Sequence, residues 1–108
     1  MEKKEIQHFS GILGGLIAKA QNGESKDIDF IMSNLSSDSN LAMTRFVDFV
    51  LSLVNTPAGF KRIFYYLFSG TSIQRNYASL YLNRLGELEY VKQAYEKGLI
   101  DEIQAFAR

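Results

Sequence analysis

When the chain is slid along itself by 31 residues, Phe46 falls on Tyr77, Val47 on Ala78, Phe49 on Leu80, Leu51 on Leu82 and Val54 on Leu85. The agreement crosses the next turn, where Asn55 meets Gly86, and continues with Phe60 on Val91, Lys61 on Lys92 and Phe64 on Tyr95. Self-similarity through a helix, a turn and a second helix points to stacked copies of one supersecondary unit, since no such unit buries its own apolar face alone. At a spacing of 32 an earlier segment joins, with Ile17 on Phe49, Ile28 on Phe60, Ile31 on Ile63, Met32 on Phe64 and Leu35 on Leu67. Three helix hairpins are therefore expected, over roughly 4–37, 38–70 and 71–100, with a short capping helix over 101–108. At 108 residues they fit one domain, 1–108.

The repeating unit reads as helical from its punctuation. Turn-forming clusters at 22–25, 36–40, 69–72 and 86–87 leave segments of helical rather than strand length. Helices are expected at roughly 4–21, 26–36, 40–55, 57–69, 72–85 and 88–97, with a seventh from 101. Thr56-Pro57 offers a side-chain acceptor followed by a residue already fixed at helical φ. Thr71 with Gln74 and Asp101 with Gln104 fit capping boxes, and Gly86 and Gly98 stand where left-handed residues close a helix. The apolar stripes run through Phe46, Phe49, Val50 and Leu53 in the third helix and Phe60, Ile63, Phe64 and Leu67 in the fourth. With connections of two to four residues, successive helices pack antiparallel.

The stretch from Ser72 to Glu87 followed by Val91 resembles a HEAT-like repeat. The resemblance is carried by Arg75 with Ala78, then Leu82, Leu85, Gly86 and Glu87, and Val91 in the next helix. It is best over residues 72–100, fair over 40–70 and poor before that. It implies an all-α fold of three antiparallel hairpins stacked as a short right-handed α-solenoid, whose second helices line a concave protein-binding face. An irregular helical bundle is the alternative.

Twelve basic and twelve acidic residues cancel, so no overall field announces nucleic acid or an anionic membrane. Without cysteine there are no disulfides, thiolate metal sites or cysteine nucleophiles, a composition that fits the cytoplasm. Met1–Glu5 mixes acids with lysines and the apolar run from Phe9 to Ala18 is short, so neither a signal peptide nor a membrane span is expected. His8, the single histidine, reads as a surface side chain. Asp27, Asp29 and Asp38 look like a carboxylate group, but Asp27 and Asp38 lie near expected helix starts, so helix capping outranks metal binding. Nothing resembles a catalytic triad, a phosphate loop or paired metal ligands, and no enzyme activity, cofactor or metal is expected.

What remains is a binding module whose partner is another protein. Burying the apolar stripe of the helix from Pro57 turns Lys61, Arg62, Tyr65 and Tyr66 partly or wholly outward. Equivalent outward positions are Phe30 in the second helix and Lys92, Gln93 and Glu96 in the sixth, and together these eight form the expected partner-binding face. Two alternatives use other features. From Phe49 to Gly86 there is no acid, while Lys61, Arg62, Arg75 and Arg84 alternate with Tyr65, Tyr66, Tyr77 and Tyr81, a pattern suited to nucleic acid or another acidic ligand. That reading ranks lower, because Tyr77 falls on the core position of Phe46 and the arginines can be solvated or pair across repeats. Gly11 and Gly15, four apart beside Gly14, form a flat stripe for another helix, either within the fold or in a homodimer.

Overall fold

A computed structural model describes the backbone of residues 2–107 and the side chains of residues 11–107. Among these residues the chain is all-helical: α1 (Glu2–Asn22), α2 (Ser25–Met32), α3 (Leu41–Leu51), α4 (Pro57–Ser69), α5 (Ser72–Arg84), α6 (Leu88–Glu96) and α7 (Glu102–Phe106). His8 lies outside the described side chains. Helix starts keep the repeat spacing: Leu41 and Ser72 stand 31 residues apart, as do Pro57 and Leu88, and Ser25 precedes Pro57 by 32.

Most of these starts and stops have a local cause, although the start of α6 at Leu88 has no side-chain cap. Thr56 accepts from the Gly59 amide with Pro57 in the first turn of α4, and Thr71/Gln74 and Asp101/Gln104 form reciprocal capping boxes. The start of α2 is braced by Asp27, which accepts from the Glu24 amide at 3.1 Å and from Asn22 Nδ2 at 2.6 Å. Gly86 and Gly98, at φ +81° and +75°, close α5 and α6. In α5 the Gly86 and Glu87 amides donate back to Asn83 and Leu82, and in α6 those of Gly98 and Leu99 donate to Tyr95 and Ala94.

α1 packs against α2 and α3, α2 against α4, α4 against α5, and α5 against α6 and α7. The result is elongated, with extents of 48 × 26 × 20 Å. A continuous core runs along it, from Leu16 and Ala20 through Ile28, Ile31 and Met32, then Val47, Val50, Leu51, Ile63, Leu67 and Leu82, to Val91 and Ala94. Each large aliphatic residue buried there contributes about 1.5–3 kcal/mol relative to leaving it exposed. The 31-residue spacing pairs buried residues with buried residues at Val47/Ala78, Val50/Tyr81, Leu51/Leu82 and Ile63/Ala94.

Several expectations are corrected. Phe49 is not core: it is 49% exposed, and Leu80 is only partly buried. The buried stripe of α3 is Thr44, Val47, Val50 and Leu51, and Phe49, two positions from both Val47 and Leu51, points to the opposite side of the helix. α2 ends at Met32 and α3 at Leu51, so residues 33–40 form a longer connection than expected. Asn34 and Ser39 satisfy backbone carbonyls there, and Asn40, rather than Asp38, caps α3 by accepting from the Met43 amide. The second hairpin is splayed, since α3 rests on α1 while α4 rests on α2 and α5. Gly11, Gly14 and Gly15 are exposed and receive no helix among the described residues.

Glycines of opposite character supply a test. A Cβ at Gly14 or Gly15 would meet nothing within 4 Å, so Gly14→Ala and Gly15→Ala should each raise unfolding stability by about 0.5–1 kcal/mol. At Gly59 a Cβ would run into the Val54 side chain and stand 2.7 Å from Thr56 Oγ1, so Gly59→Ala should lower stability by about 1–3 kcal/mol. Urea unfolding of the three variants measures both signs, and destabilisation by Gly14→Ala would mean that this face of α1 is covered.

Candidate binding surfaces

α4 exposes the side opposite its buried Ile63 and Leu67, while Phe60 and Phe64 lie half-buried at the edges of the stripe. On the exposed side Arg62 reaches back to α2 and grips Asp29 with two nitrogens, Nε to Oδ1 at 2.6 Å and Nη2 to Oδ2 at 3.2 Å. The Tyr66 hydroxyl donates to the same Oδ1 at 2.8 Å. Arg62 also lies over the Tyr65 ring, 4.2 Å from its centroid, and the Tyr65 and Tyr66 rings meet edge to face at 5.4 Å. Tyr65 is thus 45% exposed but braced, whereas Arg62 and Tyr66 are held inside the cluster.

The electrostatics follow from those contacts. The Arg62 hydrogen bonds hold the Asp29 carboxyl below its ordinary value, against the opposing effect of burial, and Tyr66 assists. Arg62 is raised in return by Asp29. Burial first, and then the bond to Asp29, push the Tyr66 hydroxyl up to about 12.

The other expected positions do not all join this cluster. Phe30 is 50% exposed and carries Lys19 Nζ over its ring at 4.5 Å, which ties it to α1. Lys61 and Gln93 are exposed. Lys92 and Glu96, 3.9 Å apart, border a separate groove between α6 and α7, so the structure divides the expected face in two. α4 meets α6 instead through the Phe64 and Tyr90 rings, edge to face at 4.8 Å, and Lys97, just past α6, lies over the Phe68 ring at 5.5 Å.

The acid-free stretch is acid-free only along the chain. Arg62 pairs with Asp29, Arg84 pairs with Asp48 at 2.8 Å, and Arg75 donates to the carbonyls of Leu99 and Gly70 at 2.7 and 2.8 Å. Tyr81 is buried, with its hydroxyl donating to Val54 O, and Tyr77 is half-buried against the core. Among the described residues no group of three or more acidic or histidine side chains is placed to hold a metal ion: Asp27 braces the start of α2, Asp29 pairs with Arg62, and Asp38 is exposed in the connection before α3. No helix of the described residues is long and apolar enough to cross a membrane.

Sequence reasoning missed the Asp29 contact, although its signal was present. A 32-residue spacing sets α2 beside α4 and places Asp29 level with Lys61, one residue from Arg62.

The cluster predicts a pH signature. Asp29, depressed in the fold, contributes stability that is full above its unfolded value of 3.8 and is lost as pH falls through the lower folded value. Tyr66, raised from 10.0 to about 12, contributes stability that is full below 10.0 and is lost as pH rises through about 12. Asp29→Asn should therefore melt below the parent protein at neutral pH, and the gap should close on acidification. Thermal melts from pH 7 to about pH 2 measure it, and a gap that stays constant would mean the ion pair does not stabilise the fold.

Comparison of the chain with protein-family models, with curated proteins and with solved structures finds no match.

Proposed function

We propose that the chain is a non-catalytic protein–protein interaction module or adaptor that binds another protein through its even-numbered helices. The matched helix starts, the packing of α1 beside α3 and of α2 beside α4, and the elongated shape support a short right-handed α-solenoid of the HEAT-like kind. The observation that carries the function is Tyr65. It is an exposed aromatic ring braced by Arg62, which is itself fixed to Asp29 by two hydrogen bonds. Tyrosine and arginine dominate interface energies because they bring large rigid area with a polar tip, and bracing before binding reduces the ordering cost. Phe30 and Lys61 extend the surface on α2 and α4, while Lys92 and Glu96 of α6 belong to the separate groove and Gln93 is exposed on the same helix. The composition fits a cytoplasmic setting.

Engagement of Arg62, Arg75 and Arg84 weighs against a phosphate-gripping face. A homodimer through the open Gly11/Gly15 stripe is a second reading, favoured by the empty space around those glycines.

Tyr65→Ala should leave stability within about 0.5 kcal/mol of the parent while weakening the native partner by about 2 kcal/mol, some thirtyfold. Ile63→Ala, at a fully buried position, should cost about 2–5 kcal/mol of stability. Melts and affinity capture from the native host, run on both variants, measure these effects. Undiminished capture by Tyr65→Ala would move the interface elsewhere, and salt-steep binding of an oligonucleotide would replace the protein partner with nucleic acid.

A further inference from the structure

The last hairpin of the fold is open where the one before it is closed. By the 31-residue spacing, Tyr95 of α6 stands where Phe64 stands in α4. Phe64 is half-buried under the following hairpin, its ring edge to face with that of Tyr90 at 4.8 Å. Tyr95 is 40% exposed and borders a groove of about 430 Å³ between α6 and α7. α7 covers this end incompletely: Ala105 is buried, but Ile103 and Phe106 are 82% and 74% exposed, and Leu88 at the start of α6 is 46% exposed.

α6 and α7 form one end of the molecule, since α7 packs against α5 and α6 while α1 packs against α2 and α3. The terminal unit of a stack of hairpins ordinarily turns a polar outer face to water. An apolar patch in that place instead marks a contact surface.

We propose that this end docks onto a second copy of the chain, forming a two-fold dimer with α6 and α7 of each copy at its centre. A two-fold interface is one patch meeting itself, so the patch must carry both sides of every contact. The exposed Phe106 ring stands beside the groove, and since about 150 Å³ holds a benzene ring, the groove accommodates the Phe106 ring of the other copy. The charged lining, Glu89, Glu96 and Lys92, is of both signs. Lys92 lies 3.9 Å from Glu96 with both side chains largely in water, a pair that holds Lys92 loosely. Glu89 makes no ion pair among the described residues. Across a two-fold axis Lys92 of each copy meets Glu89 of the other, so one geometry yields two equivalent pairs. A purely basic or purely acidic partner would set like charge against part of this lining. Twelve bases and twelve acids cancel over the whole chain, so no net charge opposes self-association.

The area of the contact sets its character. A cross-section of 26 × 20 Å offers about 500 Å² per copy, less than the roughly 800 Å² per partner of standard stable interfaces. The dimer is therefore a weak one that forms and dissociates with concentration. It uses a different surface from the Tyr65 cluster and stands or falls separately from it.

Sedimentation equilibrium of the intact chain, up to about 1 mM, should fit a reversible monomer–dimer scheme with a Kd on the order of 100 μM. Leu88→Lys and Phe106→Asp, at half-exposed and exposed positions, should each weaken the dimer about tenfold or more with unchanged circular dichroism, while Tyr65→Ala should leave it intact. Charge reversal separates a two-fold contact from any other. Glu89→Lys alone sets lysine against lysine across the axis and Lys92→Glu alone sets glutamate against glutamate, so each should weaken self-association about tenfold. In an equal mixture the two variants form a heterodimer in which both cross-axis pairs are restored, and affinity should return to within about threefold of the parent. A monomer at 1 mM would overturn the proposal and leave the groove to a different protein. Undiminished dimerisation of Leu88→Lys and Phe106→Asp, or no recovery on mixing the reversed variants, would overturn it equally. Growth beyond the dimer into open chains would mean that this end meets another surface of the molecule, and would also overturn it. So would a dimer abolished by Gly14→Leu and kept by Leu88→Lys, which assigns self-association to α1.

Discussion

The placement of α4 depends on a close approach among Gly23, Thr56 and Gly59. Thr56 Oγ1 accepts the Gly59 amide at 3.0 Å and donates to the Gly23 carbonyl at 2.6 Å, so one hydroxyl caps α4 and ties it to the turn between α1 and α2. The approach requires small residues on both sides. Gly23 holds φ +66°, and a Cβ at Gly59 would stand 3.2 Å from the Gly23 carbonyl oxygen as well as against Thr56. With the start of α4 held against the start of α2, the two helices run side by side, and a residue one turn into each can meet across the gap. Asp29 and Arg62 do so. The bracing of the exposed Tyr65 ring by Arg62 therefore depends on how the starts of α2 and α4 are held together.

What was legible in the sequence was mostly local. Thr56-Pro57, Thr71 with Gln74, Asp101 with Gln104, Gly86 and Gly98 act within a turn or two of themselves, so residue identity alone predicts their role, and the helices begin where those signals put them. The 31-residue spacing was legible because it is a property of the chain. Which face of α3 points inward was not, since Phe46, Phe49, Val50 and Leu53 describe as regular a stripe as Thr44, Val47, Val50 and Leu51. The packing of α3 on α1, with α2 and α5 beside it, decides between them, and it buries Thr44, Val47, Val50 and Leu51, leaving Phe49 outside. The ends of α2 and α3 were misjudged for a related reason: Leu35 and Val54 are buried from non-helical turns, which their apolar character alone does not distinguish from helix.

Charge shows the same division. Along the chain, Arg62, Arg75 and Arg84 look like an unopposed basic run. In space two of them meet aspartates 33 and 36 residues away, and the third is absorbed by backbone carbonyls that the helix ends leave open. The surface of the middle of the molecule is correspondingly less cationic than its sequence. At the C-terminal end the pairing is local instead, with Glu96 of α6 meeting Lys92 one turn earlier on the same helix.

Asn83 gives α7 an unusual standing in the fold. Five residues are too few to persist as a helix in water, and α7 is secured from α5 by the Asn83 amide together with the burial of Ala105. Detachment of α7 is therefore a local unfolding event, separate from loss of the core and lower in free energy, and amide protons of residues 102–106 exchange with solvent on that schedule rather than with global unfolding. A molecule bound in the groove between α6 and α7 would touch Ala105 and Phe106, and so would add its binding energy to the closed state. Occupancy of the groove would then be recorded as slowed exchange at the end of the chain, without any change in the hairpins that precede it.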